Sequence, residues 1–112
     1  MSTIYNYSRD NEPKFLNIRE TKKQYKIKTT ADVLVELYAI ESKENDGIIT
    51  MKDYVNFIIY ALGEKETKEV LQSIEALDIA KIVKYIAGAL TNRPQHELDK
   101  NNEEEDDSGS VE

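Results

Sequence analysis

The large apolar residues of this chain are concentrated before Pro94, and this boundary limits what the chain can fold into. Beyond it only Leu98 and Val111 are large and apolar, in a stretch that is otherwise acidic or polar. Such a stretch cannot bury enough apolar surface to offset the entropy lost on ordering. The folded part is therefore predicted to be residues 13–94, with room for one modest core, followed by a disordered acidic tail over residues 95–112.

Charge is distributed unevenly along the chain. The net charge is −7, and residues 95–112 hold eight of the 22 acidic residues and only one base, Lys100. Residues 14–28, by contrast, hold six bases and one acid, Glu20. The protein is thus predicted to be polarised, with a basic segment early and an acidic tail late. Residues 1–12, which are mostly polar, are predicted to be a flexible arm.

Two short segments near the start are candidates for β-strands. Residues 25–28 alternate apolar with basic side chains, as a strand with one wet face does, and residues 15–18 form the other candidate. The six residues between them, 19–24, have the length of a hairpin connection. They include no Gly, Asn or Asp, which would mark a tight turn.

Four helices are predicted after the hairpin, at residues 31–42, between Thr50 and Gly63, at residues 65–76 and at residues 78–90. Thr50 and Asp53 have the spacing of a capping box, and Gly63 stands where a left-handed cap residue is needed. Asp78 is the predicted cap of the fourth helix. The expected fold is α+β and mainly α, with a short hairpin packed on about four helices.

The inward faces of these helices follow from the spacing of their apolar residues. Ala87, Gly88 and Ala89 add a patch of small residues, either for close backbone packing or in a fraying last turn. The predicted inward residues are Val33, Leu34, Leu37, Ile40, Met51, Tyr54, Val55, Ile58, Leu62, Val70, Leu71, Ile74, Leu77, Ile79, Ile82, Val83, Ile86 and Leu90.

The sequence offers little for catalysis. It has no cysteine, and its one histidine, His96, lies in the predicted tail. The four glycines are far apart, so no phosphate-binding loop is expected. A non-enzymatic protein without cofactors is therefore predicted. The lack of cysteine favours a reducing, intracellular setting, and no apolar run approaches the roughly 20 residues that span a membrane.

Residues 42–53 resemble the calcium loop of an EF-hand. Gly47 occupies the sixth place, and Glu44 and Asp46 occupy the third and fifth. The first place is Ser42 instead of Asp, and the twelfth is Asp53, which is shorter than the usual Glu. The other interpretation is a turn between two helices, and it is favoured because tight calcium binding needs both of those places.

The basic residues 14–28 could form a footprint for nucleic acid, with Phe15 and Tyr25 nearby. The acidic total charge argues against this function. A solvated hairpin face, or a docking surface for an acidic partner, is favoured instead.

The order of the parts carries a resemblance to a known family. A short extended start precedes a Thr-led segment at residues 29–37, and a helical body precedes the acidic run at residues 103–107. This order resembles the tail assembly chaperones of long-tailed phages and prophages of Gram-positive bacteria. The resemblance covers about residues 13–107 and rests on size, element order and tail composition, with no catalytic signature.

The resemblance implies a function in the cytoplasm of a bacterial host. Family members bind the tape measure protein, a long and largely helical protein, keep it soluble and help recruit tail tube subunits. The family has no invariant residue to carry over. From the residues themselves, an apolar helix surface would suit a helical client. The candidate protein-binding residues are Tyr38, Phe57, Ile59, Tyr60 and Tyr85.

Two alternatives to the chaperone remain open at this point. One is a small regulatory module that binds calcium through residues 42–53. The other is an acidic phage protein that binds or inhibits a host protein. Oligomeric state is also left open by the sequence.

Overall fold

A computed structural model describes residues 3–9 and 12–93. The elements in chain order are β1 (Lys14–Ile18), β2 (Lys23–Ile27), α1 (Ala31–Asn45), α2 (Met51–Leu62), α3 (Glu64–Leu71), a 3-10 turn (Ala76–Asp78) and α4 (Ile79–Leu90). The expected class is confirmed, because a two-stranded antiparallel hairpin is followed by four helices.

The hairpin packs one face on the helices. Leu16 pairs with Tyr25, and these two residues together with Ile18 and Ile27 are buried. The turn between the strands covers residues 19–22. It has no glycine, and Lys22 adopts a φ of +57° instead, which few residues other than glycine, Asn and Asp do readily.

Helix α1 extends three residues beyond the predicted end at Ser42. It closes in a Schellman motif: the N–H of Ile48 bonds the carbonyl of Lys43 at 3.0 Å, and that of Gly47 bonds the carbonyl of Glu44 at 3.1 Å. Gly47 supplies the left-handed φ of +71° that this motif needs. The stop signal is therefore Gly47 itself, and the polar residues before it remain helical.

Helix α2 begins as the sequence predicts. The hydroxyl of Thr50 accepts the N–H of Asp53 at 3.2 Å, and the carboxylate of Asp53 accepts the N–H of Thr50 at 3.0 Å, which completes the capping box. Gly63 follows the helix with φ +106° and ψ 157°. This positive φ is open to glycine, although it differs from the left-handed helical conformation predicted for the cap.

Helix α3 ends at Leu71, five residues before the predicted end. The Ser73 hydroxyl bonds the carbonyl of Glu69 at 2.9 Å, and the chain leaves the helix there. Leu77 was predicted to face inward, but it lies on the following 3-10 turn and is 91% exposed. Asp78 precedes α4 without making the predicted side-chain capping bond.

The core lies around α2 and α4. Ile58, Ile86, Val33 and Val70 are fully buried, which confirms the central place predicted for Ile58. Most other predicted inward residues are buried or half-buried, but Met51 is 51% exposed. It occupies the first position of α2, where the helix has only begun to cover the core.

One buried polar atom has no partner among the described residues. The Tyr25 hydroxyl lies in the core without a hydrogen bond, and the ring itself is only 4% exposed. The tyrosine is therefore placed here by the packing of its ring.

The terminal arm and tail that the sequence predicts are only partly covered by the described residues. Residues 3–9 and 12 belong to the predicted arm, have no helix or strand, and expose their side chains. The predicted tail, residues 95–112, lies outside the described residues, and so does His96.

Candidate protein-binding surfaces

The five candidate binding residues do not form one surface. Tyr38 lies on α1 and is 59% exposed, whereas Tyr60 lies on α2, is 43% exposed and has the Lys28 ammonium 5.5 Å from its ring centre. Ile59 and Tyr85 are half-buried. Of the five, Tyr38 and Tyr85 line grooves, and they line different ones.

Phe57 is corrected from a binding residue to a core residue. Its side chain is 2% exposed and packs in the apolar cluster. The sequence shows an apolar surface on α2 that is wider than one stripe. The structure explains this width, because α2 packs against α1, α3, α4 and β2 and so buries several faces at once.

The first groove runs between α1 and α4 and has a volume of about 820 Å³. It is called the helix groove here. Its floor is the buried side chains of Leu37, Ile40 and Val83, and its rim carries the exposed Tyr38 and Leu77. Small residues on α4, namely Ala80, Ala87 and Gly88, line the same groove and leave room for a close approach.

The two rims of the helix groove differ in charge. Glu41 and Glu44 stand on the α1 side, whereas Lys81 and Lys84 stand on the α4 side, with one acid, Asp78, at the start of α4. A ligand with a basic and an acidic flank would bind here in one orientation, because like charges would meet in the other. The groove therefore combines an apolar floor with charges on its rim that fix the orientation of a ligand.

Leu77 is the residue of this groove that sequence reasoning missed. Its position at the end of an apolar series suggested an inward side chain. The signal that could have corrected this is the sequence just before it, where Ser73 can bond back to the helix and Asp78 starts the next one. A residue in such a junction belongs to neither helical stripe.

The second groove has a volume of about 640 Å³ and lies between β1 and the end of α4. It is called the edge groove here. Successive residues of β1 line one side, and Tyr85, Ala89, Asn92 and Arg93 line the other. Phe15, at 53% exposure, gives it an apolar patch.

Lys14 joins the two sides of the edge groove. Its ammonium donates to the carbonyl of Ala89 at 2.8 Å and to the side-chain oxygen of Asn92. Asn92 has the left-handed φ of +60° of a helix end, and Arg93 bonds back to the Gly88 carbonyl at 2.8 Å. A cation at this end of α4 is stabilising, because the last carbonyls carry partial negative charge.

The basic segment, residues 14–28, is partly used for internal contacts. Lys14 caps α4, Lys23 pairs with Glu69 on α3, and Lys28 pairs with Asp32 at 3.2 Å. The hydrogen bond to Glu69, with its negative charge, raises the pKa of Lys23 above its ordinary value. A continuous basic face for nucleic acid is therefore weaker than the sequence suggested.

Residues 42–53 hold carboxylates that already have partners. One oxygen of Asp53 accepts from Lys43 at 2.9 Å, and the other accepts from Thr50. The bond to Lys43, and then the bonds from Thr50, lower the pKa of Asp53. Glu44 accepts the Tyr54 hydroxyl at 2.7 Å, and burial followed by this bond raises the pKa of Tyr54 to about 12.

These contacts favour a turn over a calcium loop. Bound calcium would have to displace Lys43 from Asp53 and Tyr54 from Glu44, and the first four places of the loop are still helical in α1. Residues 3–9 and 12–93 contain no group of three or more His, Cys, Asp or Glu that could hold a metal ion. Weak or absent calcium binding remains a prediction.

The chain matches no protein-family model, no curated protein and no solved structure. Within the described residues, no helix has the length and apolar character needed to cross a membrane.

Proposed function

We propose that this protein is a non-enzymatic assembly chaperone that binds a helical segment of a client protein in the helix groove. The observation that carries the proposal is the exposure of Leu77, 91% of whose surface is in contact with solvent at the rim of a groove with an apolar floor. A large aliphatic side chain in this position gains free energy when a partner covers it.

The dimensions of the groove support a helical ligand. It follows α4, whose 12 residues correspond to about 18 Å, or three helical turns. An amphipathic helix of that length presents apolar residues at every third or fourth position to such a groove. The small residues Ala80, Ala87 and Gly88 would let the backbone of the ligand approach closely.

The resemblance described above supplies the identity of the client. A tape measure protein is long and largely helical, so it would offer many segments of the required kind. The protein would keep this client soluble in the cytoplasm of a bacterial host and help recruit tail tube subunits. The acidic residues after Pro94 would contribute charge that keeps the complex in solution.

The proposal is tested by co-expressing the full chain with the tape measure protein of the same genome and measuring the complex by size exclusion. Leu77→Asp should weaken the complex about 30-fold, which corresponds to a hot-spot residue worth about 2 kcal/mol. The matched control is Val35→Asp, because Val35 is an apolar residue on α1 that is 63% exposed and lines neither groove.

Thermal melting of both variants would show that they remain folded. No complex with the unchanged chain would refute the chaperone function. Equal losses for Leu77→Asp and Val35→Asp would refute the helix groove as the binding site. Replacing the acids of residues 103–107 by their amides should leave the complex intact, because charge alone gives a weak and salt-screened attraction.

A further inference from the structure

The edge groove follows the free edge of a strand. Side chains alternate between the two faces of a strand, so a groove over one face would be lined by every second residue of both strands. Here Lys14, Phe15, Leu16 and Asn17 all line the groove, whereas β2 contributes only Ile27. The groove therefore lies along the outer edge of β1 and reaches under the sheet as far as Ile27.

A free strand edge can bind an extended segment. β1 pairs with β2 alone, and in residues 12–93 no third strand lies on its other side. The backbone N–H and C=O groups that point away from β2 can form a ladder with an added strand. Five residues of extended chain, about 17 Å, would match the length of β1.

The charges around the edge groove favour an acidic ligand. Lys14, Arg19 and Arg93 line it, and none of the residues that line it is acidic. The end of α4 would oppose an anion by its partial negative charge, but Lys14 bonds the carbonyl of Ala89 and offsets this effect. Phe15 adds an apolar surface for one side chain of the ligand.

We propose that the edge groove binds the acidic segment of this same chain, residues 97–107, with about five of its residues added to β1 as an extended strand. This segment has seven acids and one base, Lys100. It begins four positions after Arg93, which itself lines the groove, so the connection is short. Such a tether gives an effective concentration of about millimolar, which allows modest contacts to hold the segment in place.

This inference is independent of the proposed function. It concerns a different groove, and it would hold for a protein with any client. If a client or a tail component carries an acidic extended segment of its own, it must compete with residues 97–107 for the same edge.

The experiment uses the full chain with a spin label on Ser108→Cys. The chain has no cysteine of its own, so the label reacts at one site. Residues near the label lose their backbone amide signals in nuclear magnetic resonance spectra. We expect this loss at Phe15, Asn17 and Arg19, and we expect it to disappear when the acids of residues 103–107 are replaced by their amides.

Two further variants distinguish the effect of a cation that lines the groove from the effect of a cation elsewhere on the hairpin. Arg19→Glu should restore the lost signals at Phe15 and Asn17. Lys26→Glu makes the same change of sign on the other strand, at a residue that does not line the groove, and should leave the signals suppressed.

Several results would overturn the proposal. Unchanged signals along β1 in the labelled chain would show that the segment does not occupy the groove. Equal effects of Arg19→Glu and Lys26→Glu would show a diffuse attraction instead of a site. Mixing the spin-labelled chain with a separate isotope-labelled chain should produce no loss, and a loss there would assign the edge to a second copy.

Discussion

The helix groove and the edge groove share α4 but differ in what they can bind. The helix groove has an apolar floor, a rim of mixed charge and a fully exposed leucine, Leu77, at its rim. The edge groove has the unpaired edge of β1 on one side, and its charged lining residues are all cations. The helix groove suits a helix held by apolar contacts, and the edge groove suits an extended acidic segment held by backbone hydrogen bonds and charge.

The difference arises from two of the elements that pack on α4, which also packs against α2. On one side lies α1, and the gap between these two helices forms the helix groove. On another side lies the two-stranded sheet, in which β1 pairs with β2 alone among the described residues and so has one unpaired edge. A protein of this size can therefore present two unlike surfaces with a single central helix.

The largest expected effect concerns the core that supports both grooves. Ile58 is fully buried on α2, which packs against α1, α4 and β2. Ile58→Ala should lower the free energy of unfolding by about 2–5 kcal/mol, because it removes buried methyl groups and leaves a cavity. Thermal or denaturant unfolding measures this loss. An unchanged melting temperature would contradict the central position of Ile58.

The next largest effect concerns the edge groove alone, because Lys14 lines it and does not line the helix groove. Lys14→Met removes the ammonium that joins β1 to the end of α4, and should cost about 1–2 kcal/mol, because the bonds involve a charge but are partly exposed. Lys26→Met is the control, since Lys26 loses the same charge from the outer face of the hairpin. Denaturant unfolding compares the two. If both variants lose equal stability, the bonds to Ala89 and Asn92 do not hold the edge groove together.

A smaller effect belongs to the start of α2. Thr50→Ala removes one half of the capping box and should cost about 1 kcal/mol. Asp53 contributes the other half, and the pKa of its carboxyl is lower in the folded protein than in the unfolded chain. The ionised carboxylate therefore stabilises the fold fully at pH values above the unfolded pKa. This stabilisation is lost as the pH falls through the folded pKa. Unfolding measured at a series of pH values below about 5 should therefore show a shallower loss for Asp53→Asn.

A control is needed for this pH dependence, because Asp32 has a lowered pKa for a related reason, first its bond with Thr30 and then its contact with Lys28. Asp32→Asn should remove the contribution of Asp32 to the pH dependence of the free energy of unfolding and leave the contribution of Asp53 unchanged. An identical pH profile in Asp53→Asn and the unchanged chain would contradict the role assigned to the Lys43 and Thr50 contacts.

Much of the fold could be predicted because its signals are local. The spacing of apolar residues identified four helices and the buried Ile58, and the pair Thr50 and Asp53 identified the start of α2. The hairpin was predicted from four alternating residues. These features depend on residues a few positions apart, so no knowledge of tertiary structure was needed.

The grooves could not be predicted, because they depend on contacts between distant residues. The edge groove is closed by Lys14 and Asn92, which are far apart in sequence. The helix groove depends on the gap between α1 and α4, which no sequence pattern encodes. Leu77 was misplaced because α3 ends early, and Phe57 was misplaced because α2 is covered on several sides.

The smallest expected effect concerns the hairpin turn beside the edge groove. Lys22 has a φ of +57°, and a left-handed conformation costs a residue with a side chain about 1–2 kcal/mol. Lys22→Gly should relieve this cost, while the greater freedom of glycine in the unfolded chain takes back about 0.5–1 kcal/mol. We expect a net gain of about 0.5 kcal/mol in the free energy of unfolding.

Lys22→Ala, which removes the same charge and keeps the backbone strain, should give no gain. Because Lys22 lines neither groove, the gain should leave both binding surfaces unchanged. Equal stabilities for the glycine and alanine variants would show that the turn relaxes to another conformation in solution.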